Sequence, residues 1–257
     1  MRIICLVGVV ALLAVGALPA GATLLSDLFG ISLSVDGSGT FNNSWAPTSL
    51  TTDYMVDDNY SDYFMRPPYG GEAFDIEAAY FDDDGTNAYL AVVGSFPVPE
   101  GLPFMGTTIL PGDLGIDMGA GALDIGVDID GETGEVADTD AGDWYQSSSI
   151  FVAENGPTNY AGGVPLGYAS LAFYDYGIVE RGYGTYVFEV TIPRHLLGSP
   201  SAGDFVAFDW TMGCRNDVMH LDAQFDSEIP PVPEPGTLLL LGTGLLGAAG
   251  FVRRKMK

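Results

Sequence analysis

Lysine is absent between residues 23 and 231, and arginine occurs there only four times, as Arg66, Arg181, Arg194 and Arg215. The 257-residue sequence holds 9 Lys+Arg, but Arg2 and four residues at the C-terminal end lie outside this body. Of the 34 Asp+Glu, only Glu234 lies outside, so 33 acids face four bases and the body carries a net charge of about −29. Such a surface repels nucleic acid and anionic lipid headgroups, which excludes nucleic-acid partners. It also calls for counter-ions, and divalent cations held by carboxylates are the obvious supply.

Cysteine is nearly missing too. Cys5 lies in the first apolar run, and Cys214 is then alone, so the body forms no intramolecular disulfide and its one thiol is expected to be buried. The two histidines, His195 and His220, are not spaced as zinc ligands on a helix. There is no Gly-x-Ser-x-Gly elbow, no aspartic-protease triplet and no phosphate-cradling glycine loop. Paired carboxylates of a glycosidase cannot be singled out in so acidic a chain. The expectation is a protein that is not an enzyme.

Helical periodicity is almost absent from the body. In its place stand short apolar, aromatic and β-branched runs bounded by Asp, Asn and Gly, at residues 31–35, 76–81, 88–93, 114–118, 123–129, 149–153, 169–174, 185–192, 205–212 and 218–225. Turn chemistry joins them at Asp36-Gly37, Asp84-Gly85, Asp130-Gly131 and Arg181-Gly182. About ten strands at this spacing predict an all-β, two-sheet β-sandwich of jelly-roll type over residues 23–231. Pro193 followed by Arg194 to Gly198 predicts one helical turn after a strand.

Two acidic turns stand out, Asp82-Asp83-Asp84-Gly85 and Asp128-Ile129-Asp130-Gly131-Glu132. Calcium takes six to eight oxygens, and such turns supply carboxylates and carbonyls together. Neither is an EF-hand, because the first and twelfth loop positions carry Gly126 and Ala137, or Tyr80 and Ala91. The candidate calcium ligands are Glu77, Asp82 and Asp84, or Asp124, Asp128 and Asp130. The alternative is that Asp-Gly turns simply serve an acidic β protein as corners. Among the aromatics, Trp144-Tyr145 follows an acidic loop and is the best exposed pair for stacking on a sugar ring. Trp210 alternates with Phe208 and Val206 and is expected in the core.

The ends of the chain read as addresses. Met1-Arg2, an apolar run and Ala20-Gly21-Ala22 form a signal peptide over residues 1–22, to be cut by signal peptidase. At the other end come Pro233-Glu234-Pro235, an apolar stretch over 237–252 and the basic stop Arg253, Arg254, Lys255 and Lys257. Sixteen helical residues span about 24 Å, somewhat short of the roughly 30 Å hydrocarbon core, and Gly242, Gly244, Gly247 and Gly250 make the transmembrane helix thin, as suits a temporary anchor. Basic residues after it stay in the cytoplasm, which leaves the body outside. This ordered triplet, helix and basic cluster over 232–257 resembles the PEP-CTERM sorting signal of Gram-negative bacteria that make exopolysaccharide. The resemblance implies export across the inner membrane, temporary membrane anchoring by the C-terminal helix, and cutting near the triplet by exosortase, a membrane protease. It further implies delivery to the cell surface or extracellular matrix.

Within the body, residues 70–92 run as acid, strand, acidic turn and tyrosine-containing strand, and Trp210 to Val218 as a tryptophan strand, a turn and Asn216-Asp217. Both resemble β-sandwich carbohydrate-binding modules of the family-nine and DOMON-like kind. Two functions follow as expectations. One is a surface-sorted matrix or biofilm protein that holds exopolysaccharide on a sugar-binding face. The other is a structural or adhesive acidic coat protein cross-linked by calcium, without a small ligand.

Overall fold

The computed structural model describes residues 23–57, 71–147 and 157–227. The signal peptide, the run at 149–153 and the sorting tail lie outside these residues. Among the described residues no helix is long and apolar enough to cross a membrane.

Among the described residues the regular structure is mostly strand, 47% against 7% helical. In order these are β1 (Asp53–Val56), β2 (Ile76–Asp83), β3 (Asn87–Gly94), β4 (Leu102–Phe104), β5 (Thr107–Ile109), β6 (Leu114–Asp117), β7 (Ile125–Val127) and β8 (Glu135–Asp138). There follow β9 (Trp144–Tyr145), β10 (Asn159–Tyr160), β11 (Val164–Tyr168), β12 (Ser170–Glu180), β13 (Tyr183–Pro193), β14 (Phe205–Thr211) and β15 (Val218–Gln224). Two large antiparallel sheets result, a five-stranded one in the order β1-β2-β3-β13-β12 and a six-stranded one in the order β11-β8-β7-β6-β14-β15. β4 pairs with β5, and β9 with β10, as separate ribbons.

One core joins the two sheets. Phe81, Leu90, Phe188 and Val190 from the first sheet lie in one apolar cluster with Ile116, Val127, Phe208, Trp210 and Leu221 from the second. Phe81 meets Phe208 at 5.0 Å between ring centres, and Phe188 meets Trp210 at 4.8 Å. Trp210 is thus in the core, as its alternation predicts. Cys214 is buried as well, and burial pushes its thiol up to about 11. The turn after β13 forms at Arg194–Leu197, ended by Gly198 in the left-handed conformation.

The expected strand at 31–35 is not one. It makes a single bridge, Val35 to Phe41. Its apolar positions Ile31 and Leu33 instead join Leu25, Phe29 and Phe41 over the outer face of the five-stranded sheet, packing on Ala78, Tyr80, Ala91 and Val187. Alternation reports which face of an extended segment is buried; it does not report whether a ladder partner exists. This cover explains why all eight residues of β2 are buried, where a half-solvated strand would alternate. The first sheet is therefore covered on both faces, a third layer that a two-sheet reading lacks. Glu189 is drawn into that interface, where it accepts the Leu25 N–H at 2.8 Å, and burial raises its carboxyl despite that bond.

Candidate functional site

Three strand ends meet at Gly112-Asp113. The Gly112 N–H donates to the Thr211 carbonyl at 2.9 Å, and the Trp210 indole N–H donates to the Gly112 carbonyl at 2.9 Å. A Cβ at position 112 would lie 2.4 Å from the Thr211 oxygen and 2.5 Å from that of Thr158, so only glycine permits this approach. The crossing points Asp113 inward, where it is 4% exposed. One carboxylate oxygen accepts the N–H groups of Ile129 and Asp130, at 2.9 and 3.2 Å, and the other accepts that of Tyr160 at 3.1 Å.

Asp113 thus holds the β7–β8 turn against the β9–β10 ribbon. In that turn Asp128 accepts the Gly131 N–H at 2.8 Å and the Thr133 hydroxyl. Carboxylate oxygens of Asp113, Asp128 and Asp130 lie within 4.8 Å of one another. None of the three joins an ion pair among the described residues. Burial first, and then the charge of Asp130, push Asp113 up to about 7. Burial and the charge of Asp128 raise Asp130 as well. Two such neighbours share a proton or need a cation. Two carboxylates on the β7–β8 turn and one from Asp113 beside it form a hard-oxygen donor set that suits calcium rather than a softer metal.

The aromatic pair adjoins this trio. The Tyr160 ring lies on Gly126, where a Cβ would come within 2.5 Å of it, and its hydroxyl donates to the Glu135 carbonyl at 3.0 Å. Trp144 packs on Tyr160 at 5.7 Å between ring centres and donates its indole N–H to the Thr139 hydroxyl at 3.0 Å. Trp144 is half-buried, while Tyr145 is 46% exposed. Both line an open shelf of about 540 Å³ with Ala122, Leu123 and Pro157. An adjoining cavity of about 260 Å³ shares Leu123, Trp144 and Pro157 and reaches Asp113. After burial, the charges of Asp130, Asp113 and Asp128 raise the Tyr145 phenol, so shelf and trio lie within electrostatic reach of each other.

The other candidate ligands are placed elsewhere. Asp124 accepts the Met118 N–H at 3.4 Å and closes the loop after β6. Asp82 accepts the hydroxyls of Thr51 and Thr52 at 3.2 and 2.8 Å. Asp84 accepts the N–H groups of Thr86 and Asn87 and the Tyr89 hydroxyl. Partial burial opposes its charge, yet these hydrogen bonds hold its carboxyl below the usual range. Asp84 is a turn cap, the corner role set against calcium in the sequence. Glu77 lies with Glu72 and Glu180 in a buried carboxylate group that Arg181 flanks at 3.8 Å from Glu72 and from Glu180. Glu77, Asp82 and Asp84 therefore do not gather into one group, whereas Asp128 and Asp130 gather with Asp113 in place of Asp124. The sequence did not single out Asp113, since one Asp ahead of an apolar run looks like any other among 34 acids.

No curated protein and no solved structure matches the chain. Residues 231–255 do match a family model, the PEP-CTERM protein-sorting motif. They contain the Pro233-Glu234-Pro235 triplet, the apolar stretch and the first basic residues. The chain thus carries a PEP-CTERM sorting signal, which implies export, processing by the membrane protein exosortase and sorting toward the cell surface.

Proposed function

We propose that the described body is a non-catalytic β-sandwich that holds exopolysaccharide in the extracellular matrix, with the Trp144–Tyr145 shelf as its sugar platform. The observation that carries this reading is the position of the pair, on an open shelf of about 540 Å³ rather than inside the core. Sugar rings stack on exposed aromatic faces, and nearby Asp and Asn groups bond to the hydroxyls. Calcium at Asp113, Asp128 and Asp130 would rigidify the shelf, because Asp113 ties the turn that carries the other two carboxylates to the Tyr160 backbone beneath Trp144. Sorting toward the cell surface supports this reading, because exopolysaccharide is a ligand met outside the cell. The test is retention on the producing cell's exopolysaccharide, which Trp144→Ala should reduce at least tenfold. Unchanged retention would leave the acidic, calcium-linked coat protein as the better reading.

A further inference from the structure

A second groove, of about 300 Å³, shares no lining residue with the Trp144 shelf. The segment after β3 gives it Pro97, Pro99 and Glu100, and strands β12 and β13 give it Phe173, Asp175 and Tyr186. Asp175 and Tyr186 are direct cross-strand partners, so their side chains rise side by side on one face. Tyr186 stands opposite Gly94 on β3, and its hydroxyl would come within 2.9 Å of a Cβ at Gly184. The half-buried ring thus has glycine beside it along β13 and opposite it on β3. Asp175 and Glu100 line the groove together with Tyr186, and after burial their charges raise its phenol.

The chemistry selects the ligand. Glu100 and Asp175 are exposed, and neither joins an ion pair among the described residues. Among the described residues Asp175 accepts one N–H, from Gly177 at the register shift within β12, at 2.8 Å. An anion would be repelled by a chain of net charge −25. A bare metal ion would leave the tyrosine and proline walls unused, and a neutral sugar would leave two carboxylates without a cation. A pyranose ring bearing an ammonium group uses every wall: its C–H face stacks on Tyr186, and the ammonium meets the two carboxylates that line the same groove. We infer that this groove binds a protonated amino sugar, the chemical class of a deacetylated glucosamine unit in a cationic polysaccharide. This rests on the matrix reading above and names a glycan class at a separate site.

Calorimetric titration of the full chain in detergent tests it, with glucosamine oligomers, N-acetylglucosamine oligomers of equal length and lysine oligomers. The glucosamine oligomer should bind at least tenfold more tightly than its acetylated counterpart. Glu100→Gln with Asp175→Asn, two exposed and isosteric changes, should weaken it at least tenfold with the unfolding temperature unchanged. Asp27→Asn with Asp222→Asn, which removes the same charge elsewhere, should not. Equal loss in that control would reduce the effect to general attraction by an acidic surface and overturn the proposal. Equal binding of the acetylated oligomer would overturn it as well. Lysine-oligomer binding with the same sensitivity to Glu100 and Asp175 would replace it with a basic-peptide site. Loss of exopolysaccharide retention in Trp144→Ala, with no glucosamine binding by the unaltered chain, would remove this groove and keep the shelf.

Discussion

Arg194 is 2% exposed, and its guanidinium is enclosed by acceptors from three parts of the chain. It donates to Asp83 at 2.5 Å, to the Ser227 carbonyl at 2.7 Å and to the Pro200 carbonyl, and it lies 4.7 Å from the centre of the Phe225 ring. Asp83 in turn accepts the N–H groups of Asp226 and Ser227. This pair pins the last described residues to the five-stranded sheet, six positions before Pro233. Removing one partner of a buried ion pair leaves the other charge uncompensated, at a cost of about 3–5 kcal/mol. Arg194→Met should therefore lower the urea-unfolding free energy by that amount, and a loss below about 1 kcal/mol would contradict the role given to it. The sequence placed Arg194 in a helical turn, which it occupies, but not in this pair. Asp83 is 111 residues away, and local pattern carries no information about such a partner.

At the scale of elements, what was legible followed local chemistry. The β2–β3 hairpin formed around Asp84-Gly85, with Asp83 opposite Ala88, because a strand, an Asx turn and a strand need only neighbouring residues. The covering role of the segment at 31–35 and the Asp113 trio were not legible, since each depends on what the topology brings beside it. The trio makes a pH prediction of definite sign. The ordinary Asp value is 3.8, and Asp113 is pushed up to about 7. Between those values the folded protein keeps a proton that the unfolded chain has released. The contribution of this group to stability is thus full at low pH, falls as pH rises through that window and is gone above it, each pKa unit being worth about 1.4 kcal/mol. Calcium must displace that proton, so its stabilising effect grows over the same window. At pH 8, millimolar calcium should raise the melting temperature by roughly 5 °C over chelator. At pH 5 the rise should largely vanish, and Asp113→Asn should abolish it at both. A melting temperature indifferent to calcium at pH 8 would remove the metal from the account.

The whole molecule joins an acidic β body to a sorting signal, and the two ends of that description came from different kinds of information. The signal was legible in full because triplet, apolar stretch and basic cluster are contiguous and ordered in sequence. Replacing Pro233, Glu234 and Pro235 with alanine should leave the folded body intact and stop processing. The chain should then accumulate in the membrane fraction at its unprocessed mass; normal processing and surface delivery would contradict the sorting role. The body's function was legible only as a charge and a list of aromatics, until the fold set Trp144 and Tyr145 on one shelf beside three converging carboxylates. The most direct measurement is therefore retention of the protein on exopolysaccharide from the producing cells, in calcium and then in chelator, for the unaltered chain and for Trp144→Ala. The account predicts strong retention in calcium, loss of most of it in chelator, and loss in either buffer for the variant. Retention equal in all four conditions, or absent from all of them, would contradict it.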